Sequence, residues 1–382
     1  MSHHYALFSA HYHPHKGGIE SFTQGLADQL ALEGDTVDVV TMRLSESDKL
    51  MEVQENGVTV WRLPSRPLMG GRLPIPHRTT DYQRLMNELL QRGITRVLVN
   101  ARFYPHSIDG LRFAQKIDAP AVLLDHGSEY LTLGNPLADA AIIAHEHIIT
   151  KRGKKYSPTY AGISQKSTEH LRKFGIQSTH VINNALDSDG FKNGASKRNF
   201  RDEFGINGNQ HLVAFTGRLT PEKGALELAA AAKLLGDDYV FALAGDGFLR
   251  AKLEEQQLPH LHLLGMVSRE DLSALLSQSD CFCLPTRSEG FCTSLLESSA
   301  WGLPAVIPDV GGVREVLGAP PKLGVILQNR SAPTIAEGIQ RAVEQSQNTA
   351  LRQSLSEHVA MACSWAASTS SLRKIFDNND NC

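Results

Sequence analysis

Short apolar runs alternate with amphipathic stretches along almost the whole of this 382-residue chain. Tyr5 to Ser9 reads as a strand. A helix from about Ser21 to Glu33 follows, with Phe22, Leu26 and Leu30 on one stripe, and then a strand from Thr36 to Thr41. The alternation predicts strands at 58–63, 96–100, 121–125, 159–163 and 180–183, and helices at 80–91, 107–116, 137–150 and 165–174. Pro64 to His77 is rich in Pro, Gly and Arg and is expected to be a long loop. Asp187 to Asn209 is polar and reads as a linker, after which the alternation restarts. Strands are expected at 211–216, 239–244, 262–264, 281–284, 305–307 and 325–327. The helices between and after them are 221–235, 248–256, 268–279, one from about Phe291, 332–345, 350–362 and 365–376. Two successive runs of this kind predict an α/β protein with two doubly wound parallel sheets. Ligands of such sheets bind beyond the carboxyl ends of the strands, so two facing domains would make a cleft lined by the strand-to-helix turns.

Composition narrows the class. The length exceeds a comfortable single core, and 41% hydrophobic with 21% charged residues is ordinary for a globular protein. The net charge of -3 gives no global attraction to nucleic acid. Up to Asp187 there are 20 Lys+Arg against 19 Asp+Glu, and after it 18 against 22. No apolar run is long enough to span a bilayer, and the first residues lack a basic segment and cleavage site. Cys281 and Cys283 alternate along one strand and suit core packing better than a bridge. With Cys292, Cys363 and Cys382 they fit a reducing cytoplasm.

The turns carry the chemistry. In TRSEGFCTSLLESSAWG, from Thr286 to Gly302, Glu289 and Gly290 sit in a turn and Thr293 and Ser294 in the first helical turn. Unpartnered N–H groups there attract phosphate, while Glu289 and Glu297 can accept hydrogen bonds from sugar hydroxyls. Capping plus a solvated helix face is the plainer alternative. Gly217-Arg218 and Lys223-Gly224 bracket the turn after the first strand of the second half. Pro221 there suits a first helical turn, and the two cations can meet phosphate oxygens or simply be solvated. Gly245-Asp246-Gly247 makes a close-approach turn for a base or sugar. Gly17-Gly18 lets backbone approach a phosphate, without the full dinucleotide fingerprint. His126, at a strand's carboxyl end, is a cleft candidate or a satisfied core histidine. His11, His13 and His15, and His145 with His147, alternate as metal ligands can. No cysteine or carboxylate pair accompanies them, so no metal is expected. Lys151, Arg152, Lys154 and Lys155, and the loop with Arg62, Arg66, Arg72, Arg78, Leu68 and Met69, suit an anionic membrane surface or solvent.

As a set these motifs resemble the retaining GT-B glycosyltransferases of glycosyltransferase family 4. The resemblance rests on Gly17-Gly18-Ile19-Glu20, His126-Gly127, the Arg218 and Lys223 turn, Gly245-Asp246-Gly247, SEGFCTSLLE from Ser288 to Glu297, Gly311-Gly312 through Glu315, and Trp365. It implies two Rossmann-like domains facing a cleft. The first, 1–187, is the acceptor side and takes back the C-terminal helix 363–382; the second, 188–362, binds the nucleotide-sugar donor. Arg218 and Lys223 would hold the donor diphosphate. Glu289 would contact the transferred sugar, with backbone N–H groups of Gly290, Phe291 and Cys292 beside it, and Thr293 would open the helix facing the donor. Glu297 would bind the ribose. Gly245 with Asp246, and Val267 beside Met266, would line the base and sugar. Gly17 and Gly18 would approach from the other domain, and His126 would sit near the sugar or acceptor.

The resemblance further implies anomeric retention, no metal or other cofactor, and a UDP-sugar as the expected donor. The acceptor would be a glycan or a lipid-linked glycan of surface polysaccharide, lipopolysaccharide or glycolipid synthesis. From the residues themselves, the cysteines suggest a cytoplasmic enzyme, the Lys151 cluster and the Pro64–His77 loop suggest a peripheral place on the inner face of the membrane, and the net charge suggests no nucleic-acid partner. Ala366 and Ala367 after Trp365, and the His-rich turn before Gly17, depart from the pattern. A nucleotide-sugar 2-epimerase of the same plan is the alternative, and it would act on the nucleotide-sugar without an acceptor.

Overall fold

The structure is a computed structural model that describes residues 2–15, 17–132, 134–318 and 321–379. Positions 380–382 of the expected C-terminal segment, with Cys382, lie outside the described residues. The chain divides into two compact units, Met1–Asn184 with Trp365–Cys382, and Ala185–Ser364.

In the first unit the strands are β1 (His4–Ser9), β2 (Thr36–Arg43), β3 (Met51–Val53), β4 (Thr59–Leu68), β5 (Leu73–Pro76), β6 (Arg96–Asn100), β7 (Ala121–Asp125), β8 (Thr159–Gly162) and β9 (His180–Val181). They lie in the order β3-β4-β2-β1-β6-β7-β8-β9, with β5 paired to β4. Only β3 and β5 are antiparallel, both to β4. The central strands are buried on both faces, as the continuous apolar runs require of a parallel sheet covered by helices. The helices are α1 (Gly18–Leu32), α2 (Thr80–Leu90), α3 (Pro105–Lys116), α4 (Pro136–Gly153) and α5 (Gln165–Leu171). The C-terminal helix Trp365–Asn379 belongs to this unit. It buries Leu372, Ile375 and Phe376, and Arg373 pairs with Glu33 and with Asp35 (2.6 Å).

The stretch 64–77 corrects the loop expectation. Ser65 pairs with Pro76 and Leu68 with Leu73, so it is a hairpin that extends β4. Pro67, Pro74 and Pro76 are tolerated because this is an edge, where a missing N–H costs no central ladder bond. Gly70 (φ 65°) and Gly71 (φ 86°) supply the left-handed backbone of the turn.

The second unit holds β10 (His211–Thr216), β11 (Tyr239–Ala244), β12 (Leu261–Gly265), β13 (Cys281–Cys283), β14 (Ala305–Pro308) and β15 (Val325–Leu327), in the order β12-β11-β10-β13-β14-β15, all parallel. Its helices are α6 (Ser188–Asn193), α7 (Phe200–Glu203), α8 (Ala225–Leu235), α9 (Arg250–Glu254), α10 (Arg269–Gln278), α11 (Thr293–Ala300), α12 (Val313–Leu317), α13 (Ala332–Ser346) and α14 (Thr349–Ala362). The polar stretch 187–209 therefore carries two short helices, each opened by a side-chain cap, Asp187 and Asn199. Strand order reverses at β10, which has β11 on one side and β13 on the other. That reversal is where an open parallel sheet leaves a crevice at its carboxyl edge.

Candidate active site

The turn after β10 and the turn after β13 flank this crevice. Lys223 Nζ lies 2.5 Å from Glu289 Oε1, with both side chains largely buried (17% and 11% exposed). Backbone demands explain why the two turns take this shape. Gly224 has φ 80°, and a Cβ on it would strike the Pro285 carbonyl, so only glycine lets the two turns close together. This corrects the expectation for Pro221. The helix opens at Ala225 after Gly224, and Pro221 stays in the preceding turn. Arg330, which sequence reasoning missed, ties the same turns from behind. It donates to Pro285 O (2.6 Å) and Pro221 O (3.2 Å) and pairs with Glu227 (2.6 Å). No periodicity or motif singles it out; its role exists only in the fold.

Arg218 is exposed on the same turn as Lys223, and its side chain makes no hydrogen bond or ion pair among the described residues. The Gly245 turn packs directly on it. Gly217 N–H donates to Ala244 O (3.0 Å) and Leu219 N–H to Asp246 O (2.9 Å), while Gly245 N–H donates to Gly265 O (2.8 Å). A Cβ on Gly245 (φ 134°) would collide with Gly217 O. Asp246 Oδ1 accepts from Gly247 N–H (2.7 Å), so it braces its own turn. Val267 and the exposed Met266 follow β12 at the neighbouring strand end.

Behind Glu289, the backbone of Gly311 comes so close that an added Cβ would lie 2.8 Å from Glu289 O and 2.9 Å from Gly290 O. A Cβ on Gly312 would enter the Phe291 ring at 2.6 Å. Phe291 and Cys292 are buried, and Cys292 has φ 82°, an uncommon conformation for a non-glycine residue. It opens α11 without a side-chain cap, Thr293 being the first helical residue and exposed. Burial, with Glu289 close by, pushes the Cys292 thiol up to about 12, so it is not a thiolate at neutral pH. Glu297 lies on the second turn of α11 and is half-buried. Burial raises its carboxyl to about 7, against the pull of the Arg269 charge, another residue sequence reasoning missed.

The first unit assembles its own group of turns at the carboxyl ends of β1, β6 and β7. Gly17 and Gly18 open α1; Glu20 folds back over Gly17, where a Cβ would clash with its carboxylate, while Gly18 faces open space. His126 follows β7. Asn100, at the end of β6, donates through Nδ2 to Thr23 Oγ1 (3.1 Å), which leaves Oδ1 to accept from His126 Nε2–H (3.0 Å). That tautomer leaves His126 Nδ1 as an acceptor. Burial lowers the imidazole to about 3, so it is neutral near pH 7. Phe22 meets the His126 ring edge-on at 5.2 Å, and Trp365 leans on Phe22 at 5.9 Å. Beneath β7, buried Arg102 pairs with Glu146 (2.8 Å) and Asp125 (3.3 Å), donates to Thr150 (2.8 Å) and stacks on Phe174. Asn100 ends an apolar strand with a buried polar residue, a signal that a sequence could have offered. Arg102 offered none, and Phe22 showed only as one position of the apolar stripe of α1.

The remaining candidates separate. His11 is buried against Tyr104 and His15 and donates to Gly71 O, and His145 donates to Phe103 O. Among the described residues no group of three or more His, Cys, Asp or Glu gathers as a metal site. Of the four arginines assigned to the loop, Arg62 is buried and paired with Glu52 (2.6 Å) and Arg78 is paired with Asp109 (2.6 Å). Lys154 is spent on the Phe174 and Gly175 carbonyls. Arg66 and Arg72 remain exposed beside Leu68 and Met69, and Lys151, Arg152 and Lys155 at the end of α4. No helix among the described residues is long and apolar enough to cross a membrane.

Comparison with known proteins adds to this geometry. The family model for Glycosyl transferases group 1 matches residues 196–359, and that for Glycosyltransferase Family 4 matches residues 16–189. The chain is 27% identical to a GDP-mannose-dependent alpha-mannosyltransferase of Mycolicibacterium smegmatis over 327 residues, 84% of each chain. It is 31% identical over 142 residues to the Escherichia coli UDP-Gal:alpha-D-GlcNAc-diphosphoundecaprenol alpha-1,3-galactosyltransferase, covering 35% of this chain and 37% of the other. Among solved structures, Anabaena Alr3699/HepE in complex with UDP superposes with a TM-score of 0.72 at 17% identity, covering 99% of this chain and all of that one.

Proposed function

Since this chain belongs to the family-4-type glycosyltransferases of the GT-B fold, we propose that it moves a hexose-type sugar, with retention, from a nucleotide-diphosphate sugar to a glycan or lipid-linked acceptor. The reading places it in surface polysaccharide or glycolipid synthesis. The observation that carries it is the Lys223–Glu289 contact at the point where strand order reverses. A cation and a carboxylate held side by side, both largely buried, suit a ligand with a diphosphate next to a hydroxylated ring. Lys223 and Arg218 meet the phosphate oxygens as the glycosidic C–O bond breaks, and Glu289 accepts from sugar hydroxyls. Glu297, on the second turn of α11, accepts from the ribose.

In this mechanism the bond from the anomeric carbon to the phosphate oxygen breaks, the acceptor's hydroxyl oxygen bonds to that carbon from the same face, and the departing phosphate oxygen takes the hydroxyl proton. The two cations supply the charge stabilisation directly, and the reading needs no metal. His126, neutral and with Nδ1 as acceptor, receives a hydroxyl of the sugar or acceptor. A UDP-sugar is the proposed donor. The HepE complex supports it, while the mannosyltransferase relative uses a GDP-sugar, so the nucleotide is the first thing to measure. A peripheral place at the cytoplasmic membrane face is supported by the exposed Arg66, Leu68, Met69 and Arg72 tip and by the basic end of α4.

The test is Lys223→Ala. Losing one fixed charge contact to the leaving group should lower transfer about 10²–10³-fold, roughly 2.7–4 kcal/mol. The melting temperature should stay within a few degrees. A UDP-, GDP- and ADP-sugar thermal-shift panel on the wild type then names the donor, because a bound ligand raises apparent stability. Near-normal turnover by the variant, or conversion of the donor alone to its 2-epimer, overturns the reading.

A further inference from the structure

A second polar site lies on the first unit, in the groove between α2 and α3, away from the Gly17 and His126 turns. Its core is Asp109 on α3, whose side chain is only 3% exposed. Three donors converge on it. Tyr82 O–H donates to Oδ2 (2.7 Å), and Arg78 (2.6 Å) and Arg112 (3.2 Å) both donate to Oδ1. Both guanidiniums stay half exposed, at 54% and 50%, so each keeps N–H groups for something else. One carboxylate between two guanidiniums leaves a net positive charge. Lys116 adds another, having no ion pair or hydrogen bond of its side chain among the described residues. Arginines pinned at one end are already ordered, so a ligand need not immobilise them.

The groove they border has a volume of about 350 Å³. Met86, Leu90 and Phe113 line it together with the exposed amides of Gln83 and Asn87. A second surface cavity of about 460 Å³ next to it shares Leu90 and Lys116. The chemistry is complementary to one kind of molecule. Guanidinium and ammonium groups suit a carboxylate or phosphate, amides suit hydroxyls, and an apolar surface suits the C–H face of a sugar ring.

We propose that this groove is an accessory site for an anionic oligosaccharide, a glycan bearing carboxylate or phosphate groups, with a lining that shares no residue with the Gly17 and His126 turns. The glycan identity rests on the transferase reading, whereas the anion site itself does not.

Binding is measured without turnover, so its outcome is independent of whether transfer is ever detected. The full-length protein is titrated calorimetrically at low salt with a glucuronate-containing tetrasaccharide, with its carboxyl-reduced neutral counterpart, with inorganic phosphate and with anionic phospholipid vesicles. The expected result is saturable binding of the acidic tetrasaccharide. The neutral one should bind about tenfold weaker or worse, as should the Arg112→Gln/Lys116→Gln double variant with the acidic one. That variant keeps Asp109 paired with Arg78 and Tyr82, so its melting temperature should match the wild type. Equal binding of the two tetrasaccharides, or acidic binding that survives the double variant, overturns the proposal. So does phosphate binding as tightly as the tetrasaccharide, or vesicle binding that the double variant abolishes while the tetrasaccharide fails to bind.

Discussion

Gly25→Ala offers a severe test of how His126 is held. Gly25 lies inside α1, under the Trp365 indole. A Cβ there would sit 2.5 Å from Cη2 and closer still to Cζ2, where carbon atoms need about 3.5–4.0 Å. The indole must withdraw by about 1 Å or more. Trp365 leans on Phe22, and Phe22 meets the His126 ring, so the withdrawal removes the support from behind His126. Overpacking of this kind costs about 1–3 kcal/mol, and the better helix propensity of alanine returns about 1 kcal/mol. The net loss should be about 1 kcal/mol, roughly 2–4 °C in melting temperature for a unit of this size. The effect on transfer should be larger than that stability loss implies, about 10–100-fold in kcat, because a displacement of this size at a positioned group costs that much. Donor KM should hardly move. Adding Trp365→Ala removes the clash, so the double variant should lose less stability than the sum of the singles. Steady-state kinetics and thermal melts on the four proteins decide it. An unchanged kcat in Gly25→Ala, a loss that matches the unfolded fraction, or strict additivity would refute the coupling.

Further consequences follow from the buried ionisable groups. Burial holds the Glu297 carboxyl up near 7, so the folded state keeps a proton that the unfolded chain has shed between about pH 4.5 and 7. Stability from this group is lost as pH rises through that window, and Glu297→Gln should raise the melting temperature at pH 8 while weakening donor binding about tenfold, read by titration with the donor. His170 has neither ring nitrogen bonded among the described residues and is lowered to about 4, chiefly by burial and then by the Arg102 charge. The unfolded chain protonates first, so stability should fall by up to about 1.4 kcal/mol per pH unit from 6.5 down to 4, and His170→Phe should flatten that slope in denaturant melts. Arg102→Ala strands Glu146 and Asp125 in the interior and should cost about 3–5 kcal/mol by chemical denaturation; a loss under 1 kcal/mol would show that water already solvates the pair.

Much of the architecture was legible in the chain because the physical signals are local. Runs such as YALFS, RVLVN and HLVAF are buried on both faces of a parallel sheet, so they are written as continuous apolar segments, and the amphipathic stretches between them have helical spacing. The 64–77 segment misled because proline and glycine signal a loop unless the strand they sit in is known to be an edge, and edge status belongs to the sheet. The polar stretch 187–209 hid two short helices whose stability comes from caps and packing more than from periodicity.

For the site, the chain by itself determined which turns carry chemistry-bearing residues: Lys223, Glu289 and His126 each follow a strand, and a strand's carboxyl end is a property of local order. What only the tertiary structure decided is which of them meet. Lys223 and Glu289 stand 66 residues apart. They touch because β13 pairs with β10 and not with its sequence neighbour β12, and because Gly224 and Arg330 let the two turns close. The clamp on His126 by Asn100 and Phe22, and the brace of Arg102 beneath it, likewise come from strands and helices that are neighbours only in space. Side-chain partners across a parallel sheet are set by strand order, and no pattern confined to one segment encodes that order.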